Sequence, residues 1–327
     1  MPIDWSPFAE LVRRHRRFVL TTHVRPDGDG LGSMLALANA LEAQGKSTRM
    51  VVASVLPPRY DFLDPTRRVR RFQPPGDDLR DAEAVVVLDT GTWNQLGDFG
   101  TLLKTLPVPR AVIDHHLTQD DLGADRFVDT TAEATGRLVF EAIEALGTPL
   151  SPDSAHCLFV ALAMDTGWFR HPNATPRTFG LAERLVAAGA RPTAAYEALF
   201  EQNTAGRLKL TGLVLGRLEV SHGGRVCHTE IRKGDYAAAG AVPQDSEDLI
   251  NYTRSVVGVE VGLLFMEQPA GGVKVSFRSR ALDVASLAQR FGGGGHRLAS
   301  GAVLDLPLEV ARSRVLAAVA QALDAPS

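Results

Sequence analysis

Only two cysteines, Cys157 and Cys227, occur in the 327 residues, far apart and in no CxxC pair, which excludes a disulfide framework and a thiolate zinc site. Both read as buried small hydrophobes. A basic excess is missing too. There are 35 lysines and arginines against 38 aspartates and glutamates, a formal net charge of -3 at pH 7. Bulk electrostatic coating of long nucleic acid is thereby excluded, whereas a small anionic substrate needs only a few local cations and bound metals. No apolar run is long enough to cross a bilayer, and the charged, amphipathic start MPIDWSPFAELVRRHRRF lacks the apolar region and small-residue cleavage site of a secretory signal. The expectation is a cytoplasmic protein with no membrane association. Internal repeats and low-complexity segments are absent as well.

What is present is an ordinary globular composition, 45% hydrophobic and 22% charged, at a length that favours two domains. The first half alternates apolar strand runs with helical patterns, so the expected class is α/β with a doubly wound, mostly parallel sheet. FVLTTH (Phe18 to His23), AVVVLD (Ala84 to Asp89) and AVID (Ala111 to Asp114) read as strands covered on both faces. VRPDGDG reads as a loop and Leu31 to Gln44 as a helix with Gly45 just past its end. Helical patterns follow at Ala132 to Leu146, Ser151 to Met164, Pro176 to Ala188 and Pro192 to Leu210. After about residue 211 come meandering strands, LVLGRLEVSH, GRVCHTEIRK, GVEVGLLFME and GGVKVSFRSR, with helices between them, which reads as a smaller α+β domain. The expected division is a catalytic domain over residues 1–190, a helical linker over 191–210 and a second domain over 211–327.

Ligands of open α/β sheets bind beyond the carboxyl ends of the strands, and acids and histidines recur there. The first strand delivers His23, and the loop after it adds Asp27 and Asp29. The second ends in Asp89, the third in Asp114, His115 and His116, and the apolar stretch LFVALAMD ends in Asp165. Any one of these is ordinary turn or capping chemistry. Their recurrence at the ends of successive apolar runs is what points to a site. Four or more carboxylates in one cleft repel strongly unless cations neutralise them, and bound divalent metal resolves this. An oxygen-rich set with imidazole and no thiolate suits manganese or magnesium, with cobalt or zinc as competitors. The run Arg67, Arg68, Arg70, Arg71 reads as a solvated face.

In the second half, alternation along Val273 to Phe277 sends Val273, Val275 and Phe277 to the core and gathers Lys274, Ser276 and Arg278 on the other face. Arg280 extends that face if the strand runs on. Gly293, Gly294 and Gly295, within a run ending at His296, offer backbone N–H groups for an anion-binding concavity. Together these residues describe a phosphate or nucleotide receptor. His15, His156, His222 and His228 have no comparable context and read as structural.

HVRPDGDGLGS, VLDTG, IDHH and MDTGWF resemble, in order and spacing, the metal motifs of the DHH phosphoesterase superfamily, and VSFRSR followed by FGGGGHRLASG resembles the substrate-binding motif of its DHH-associated type 1 C-terminal domain. The likeness covers nearly the whole chain and is closest to the NrnA-like oligoribonuclease (nanoRNase) and 3′-phosphoadenosine 5′-phosphate phosphatase group. It implies two manganese ions, with magnesium or cobalt as substitutes. One would be held by His23, Asp27 and Asp89 and the other by Asp29, Asp89, His115 and Asp165, so that Asp89 bridges. It also implies that His116 faces the substrate phosphate while Asp114 orients the histidines. Two departures stand out: Gly30 where alanine is common, and Leu298-Ala299-Ser300 in place of an alanine-rich stretch. The implied activity is hydrolysis of short single-stranded RNA or DNA to nucleoside monophosphates, together with dephosphorylation of 3′-phosphoadenosine 5′-phosphate, by a chain that a homodimer would also accommodate. The alternatives are a phosphodiesterase of cyclic dinucleotides (c-di-AMP, or its linear product pApA) and a non-catalytic nucleotide-binding protein of inherited fold.

Overall fold

Val85, Val86 and Val87 are fully buried along one strand, as a strand covered on both faces requires. In this computed structural model, which describes residues 3–324, the chain divides into two units between Gln202 and Asn203. The first unit contains α1 (Ser6–Arg14), β1 (Arg17–Thr21), α2 (Gly28–Ala43), β2 (Ser47–Val52), β3 (Val69–Arg71), β4 (Ala84–Leu88), α3 (Gly97–Thr105), β5 (Arg110–Asp114), β6 (Asp125–Val128), α4 (Thr135–Ala145), α5 (Pro152–Asp165), α6 (Pro176–Ala187) and α7 (Pro192–Phe200). Its sheet runs β3-β2-β1-β4-β5-β6, with every pairing parallel. The strand order reverses between β1 and β4. The crevice beyond their carboxyl ends is therefore the place where an open α/β sheet binds ligands.

Phe18 and Leu20 of β1 and Val86 and Leu88 of β4 pack with α2, α4 and α5 on one face, while Val19, Val85 and Val87 pack with Phe99, Leu102 and Leu103 of α3 on the other. Helices α2 and α5 approach so closely that a Cβ on Gly32 would overlap the carbonyl oxygen of Cys157. Gly32→Ala is therefore expected to cost about 1–3 kcal/mol of unfolding free energy by forcing the two helices apart, measurable by urea denaturation.

Helix α2 begins at Gly28, three residues earlier than its hydrophobic pattern indicates. The reason is Asp27, whose carboxylate accepts from the N–H groups of Asp29 and Gly30 and so caps the helix. The DGD sequence is the opening turn of a helix, where a loop was expected.

The second unit contains α8 (Ala205–Gly216), β7 (Glu219–Ser221), β8 (Val226–Ile231), α9 (Asp235–Ala239), α10 (Ile250–Ser255), β9 (Val261–Glu267), β10 (Val273–Ser279), α11 (Val284–Gln289), β11 (Gly294–His296), β12 (Ala299–Leu304) and α12 (Leu308–Asp324). The single helical run expected over Pro192 to Leu210 is two helices. Thr204 accepts from the N–H of Arg207 and starts α8 afresh, so α7 falls in the first unit and α8 in the second. The first four residues of LVLGRLEVSH, Leu213 to Gly216, are the last turn of α8, because Leu210 and Val214 continue one buried face of that helix at the i, i+4 spacing, leaving only Glu219–Ser221 as strand. Nor is the sheet a simple meander. Its order is β11-β12-β10-β9-β8-β7, and β8 and β9 pair in parallel, which requires the crossover that α9 and α10 supply. Among the described residues, no helix is long and apolar enough to cross a membrane.

Candidate metal centre

The ends of β1 and β4 place His23 and Asp89 side by side, with Nε2 of His23 3.4 Å from Oδ2 of Asp89 and 3.7 Å from Oδ1 of Asp27. Nδ1 of His23 lies 2.9 Å from the carbonyl of Val24. A carbonyl oxygen only accepts, so Nδ1 carries the proton and Nε2 is left to face the acids. His115 repeats the arrangement. Its Nδ1 donates to the carbonyl of Ala132 at 3.0 Å, and its Nε2 lies 3.3 Å from Asp165, 3.6 Å from Oδ1 of Asp89 and 3.9 Å from Asp29.

Three sets of side chains thus converge, each offering ligand atoms within 4.8 Å of one another: His23, Asp27 and Asp89; Asp29, His115 and Asp165; and Asp89, His115 and His116. Asp89 holds the centre. Its Oδ2 faces His23 while its Oδ1 faces His115. Its backbone is left-handed (φ 59), an uncommon conformation for a residue other than glycine and of the kind that concentrates at functional sites.

Asp29 and Asp89, at 0% and 3% exposure, sit among other acids. Burial and the charges of Asp89, Asp165 and Asp27 push the Asp29 carboxyl well above the usual range. Burial also raises Asp89, although its hydrogen bond with His23 opposes the rise. Asp165 is lifted to about 6, first by burial and then by Asp89 and Asp27, against the pull of His115. Burial works against charging His23, but the carboxylates of Asp27 and Asp89 outweigh it and carry the ring to about 10. Without an ion, the protonated ring is the cation of this cluster. A donor set of carboxylate oxygens and imidazole nitrogens without sulfur, with acids held above their ordinary range by one another, fits hard divalent cations.

Asp114 is fully buried at the end of β5, and its Oδ1 accepts from the N–H groups of His115 and His116 and from Nδ1 of His116 at 2.8 Å. That pairing raises His116 to about 9, against its burial. Over half of the His116 side chain is exposed, so it presents Nε2 outward.

Several contributors carried no sequence signal. The N–H groups of Thr135 and Gly136 donate to Asp29 at 2.7 and 2.8 Å, and Thr135 Oγ1 donates to Asp89 at 2.9 Å. The N-cap position of α4 is Ala134, which has no side-chain acceptor, so Asp29 caps that helix from across the fold. An uncapped helix start is the one trace of this in the sequence. Gln119 donates to Asp114, and Asn173 donates to the carbonyls of Glu133 and Asp165, tying the α4 entry to the end of α5.

In the second unit, Val273, Val275 and Phe277 are buried while Lys274 is exposed and Ser276 and Arg278 are half-buried, as alternation requires. Strand register sets Arg278, Ala299 and His296 in one row and Ser276, Gly301 and Gly294 in the next. The floor between the cations is thus small and smooth. One expectation needs correction: Arg280 lies past the end of β10, and its guanidinium donates to the carbonyls of Val259 and Arg254, so it is not part of this row. Gly294 and Gly295 pair with β12 as strand β11. In the first unit, Arg68 of the arginine run is held by Asn39 and Glu42.

Residues 17–162 match the DHH family, N-terminal domain, and residues 223–325 match the DHHA1 domain. The bifunctional oligoribonuclease and PAP phosphatase NrnA of Thermus thermophilus is 33% identical over 308 residues, covering 93% of this chain and 89% of that protein. Its counterpart in Bacillus subtilis is 26% identical over 302 residues, covering 90% and 92%. Among solved structures, an exopolyphosphatase-related protein from Bacteroides fragilis matches with a TM-score of 0.85 at 23% identity, over 98% of this chain and 95% of that one. Exonuclease RecJ bound to manganese matches with a TM-score of 0.51 at 18% identity, over 100% and 96%. These two establish the fold alone. With both domains matched in order and the Thermus relative aligned along most of its length, the chain belongs to the DHH phosphoesterase family, hydrolases acting on phosphodiester bonds.

Proposed function

We propose that this enzyme hydrolyses short oligoribonucleotides to nucleoside monophosphates and dephosphorylates 3′-phosphoadenosine 5′-phosphate in the cytoplasm, using two manganese ions. The observation that carries the reading is the pair of Asp89 oxygens directed at two separate groups of donors. In it, His23, Asp27 and Asp89 hold one ion, and Asp29, Asp89, His115 and Asp165 hold the other. The named activity of the Thermus relative supports the substrate class, and the manganese of RecJ supports the metal.

When bound, paired divalent ions supply a water of lowered pKa and neutralise charge on the phosphoryl oxygens. This chain's own residues do the rest. His116, protonated through its bond to Asp114, donates from its exposed Nε2 to a phosphoryl oxygen or to the departing alcohol. Asp114 fixes that ring through Nδ1. Lys274, Ser276, Arg278 and His296 form a cationic, small-floored face suited to nucleotide phosphates, with the backbone of Gly293, Gly294 and Gly295 beside it.

Thr135→Val, which keeps the shape of the side chain but removes its bond to Asp89, is expected to weaken manganese binding about tenfold, readable by calorimetric titration. The substrate assignment is tested by hydrolysis of a panel with manganese: a linear dinucleotide, a five-nucleotide RNA, a long single strand, 3′-phosphoadenosine 5′-phosphate and a cyclic dinucleotide. The short RNAs and the adenosine bisphosphate should be cleaved, and Arg278→Ala should lower kcat/KM on them by roughly 10- to 100-fold, the worth of one lost charged hydrogen bond. Preference for the cyclic dinucleotide would assign the chain to the cleavage of a signalling nucleotide. Manganese binding with no hydrolysis of any substrate would leave a nucleotide-binding protein.

A further inference from the structure

Arg137, in the first turn of α4, is 3% exposed, and Glu133 in the loop before that helix is buried as well. Charged side chains are seldom buried this fully unless paired. The Arg137 guanidinium is held on three sides. Its Nη2 donates to Oδ2 of Asp129 at 2.6 Å, its Nε lies 3.0 Å from Oε2 of Glu133, and its Nη1 donates to Glu141 at 2.8 Å. Glu141 is one turn on in the same helix, whereas Asp129 and Glu133 belong to the loop that joins β6 to α4. The other oxygen of Asp129 accepts from the N–H and Oγ1 of Thr131, at 2.9 and 2.6 Å, and closes the loop on itself. Arg137 thus ties the start and the end of this loop to the helix.

The loop serves one side of the metal centre. Its Ala132 carbonyl accepts from Nδ1 of His115, and the Asn173 amide joins its Glu133 carbonyl to that of Asp165. The helix start that it sets presents the N–H groups of Thr135 and Gly136 to Asp29, and Thr135 Oγ1 to Asp89. By contrast, His23 and Asp27 take their hydrogen bonds from Val24, Asp29 and Gly30. Buried ion pairs add little net stability, because desolvation offsets their attraction. What a planar guanidinium does supply is direction, since its donors are fixed in a rigid fork. We propose that Arg137 is a positioning residue for the ion held by Asp29, Asp89, His115 and Asp165, acting through the loop 129–134 that it clamps to α4. The inference rests on the two-ion reading above.

Removing Arg137 would strand three carboxylates and endanger the fold, so the clamp is better cut at Asp129. Asp129→Asn keeps an oxygen to accept from Thr131 and sets an amide where the oxygen facing Arg137 stood. Manganese binding is then titrated by calorimetry, with electron paramagnetic resonance to tell a single bound ion from an exchange-coupled pair. In Asp129→Asn the second ion should bind about tenfold more weakly, the scale on which outer partners of metal ligands act, while the first binds as in the wild type. The coupled signal should therefore appear only at higher manganese. Glu141→Gln, which breaks the pairing within α4 and leaves the loop clamped, should bind both ions as the wild type does. Wild-type affinity for both ions in Asp129→Asn would overturn the proposal and leave Arg137 a purely structural ion pair. Equal weakening of both ions would overturn it too. A wild type that binds fewer than two manganese ions would instead overturn the two-ion centre itself, and this inference with it.

Discussion

Asp89→Asn lowers turnover at least about a thousandfold and abolishes the binding of one ion or both, while the metal-free protein remains folded and no less heat-stable. Both halves of this expectation come from the same geometry. Among the described residues, Asp89 is the only acid with one oxygen toward His23 and the other toward His115, so losing its charge weakens both groups of donors. Ions that neutralise phosphoryl charge contribute several kcal/mol to the transition state, and about 4 kcal/mol is a factor of a thousand. Stability moves the other way because burial raises the Asp89 carboxyl, which means that its ionised form burdens the fold at neutral pH. Asparagine is the right replacement. It keeps an acceptor for Thr135 and tolerates the left-handed backbone at φ 59, where alanine would add strain of its own. Thermal melts with and without manganese, run beside single-turnover kinetics, read both effects. A large fall in the melting temperature of the metal-free variant would show that Asp89 holds the fold together, contrary to this account.

The second large effect is on pH. Asp165 is raised to about 6 and Asp29 well above its ordinary value, so each burdens the folded state above its folded pKa and is relieved as the pH falls toward the unfolded value near 4. His23 and His116, raised to about 10 and 9, support the folded state fully below their unfolded value near 6.5 and lose that support as the pH climbs through 9 and 10. All four act in one direction. Acids lowered by their partners, such as Asp129 at about 2, lose their contribution only below about pH 4, outside this window, and His156 and His228, lowered by burial, oppose the four only as the pH falls below the unfolded value near 6.5. Metal-free protein should therefore melt at a lower temperature at pH 8 than at pH 5.5. Manganese requires deprotonated carboxylates and neutral imidazoles, so the rise it induces should widen over the same interval, with protons released on binding. An increment that stays flat from pH 5.5 to 8 would mean that these groups are not its ligands.

The sequence made the side chains of the centre legible because each is an acid or a histidine at the end of an apolar run, and topology brings the ends of β1, β4 and β5 together. It could not show what orients them. Thr135, Gly136 and Ala132 act through backbone groups or a single hydroxyl, which leave no mark in composition or periodicity. In the second unit the β10 face was legible from alternation, whereas the start of α8 was misread, because valine and leucine at Leu213 to Leu215 satisfy a strand pattern until Leu210 and Val214 are seen to share a helical face. Arg280 was misplaced for a related reason. Alternation assigns it a face only if the strand continues, and β10 stops one residue short.

Two ions shared through Asp89 would be seen separately by their anomalous scattering. Anomalous diffraction at the manganese absorption edge, from crystals of the manganese-loaded protein, tests that sharing most directly. Two peaks are expected, one against His23, Asp27 and Asp89 and the other against Asp29, Asp89, His115 and Asp165; a single peak, or a pair in which Asp89 touches only one, would rule out a shared Asp89.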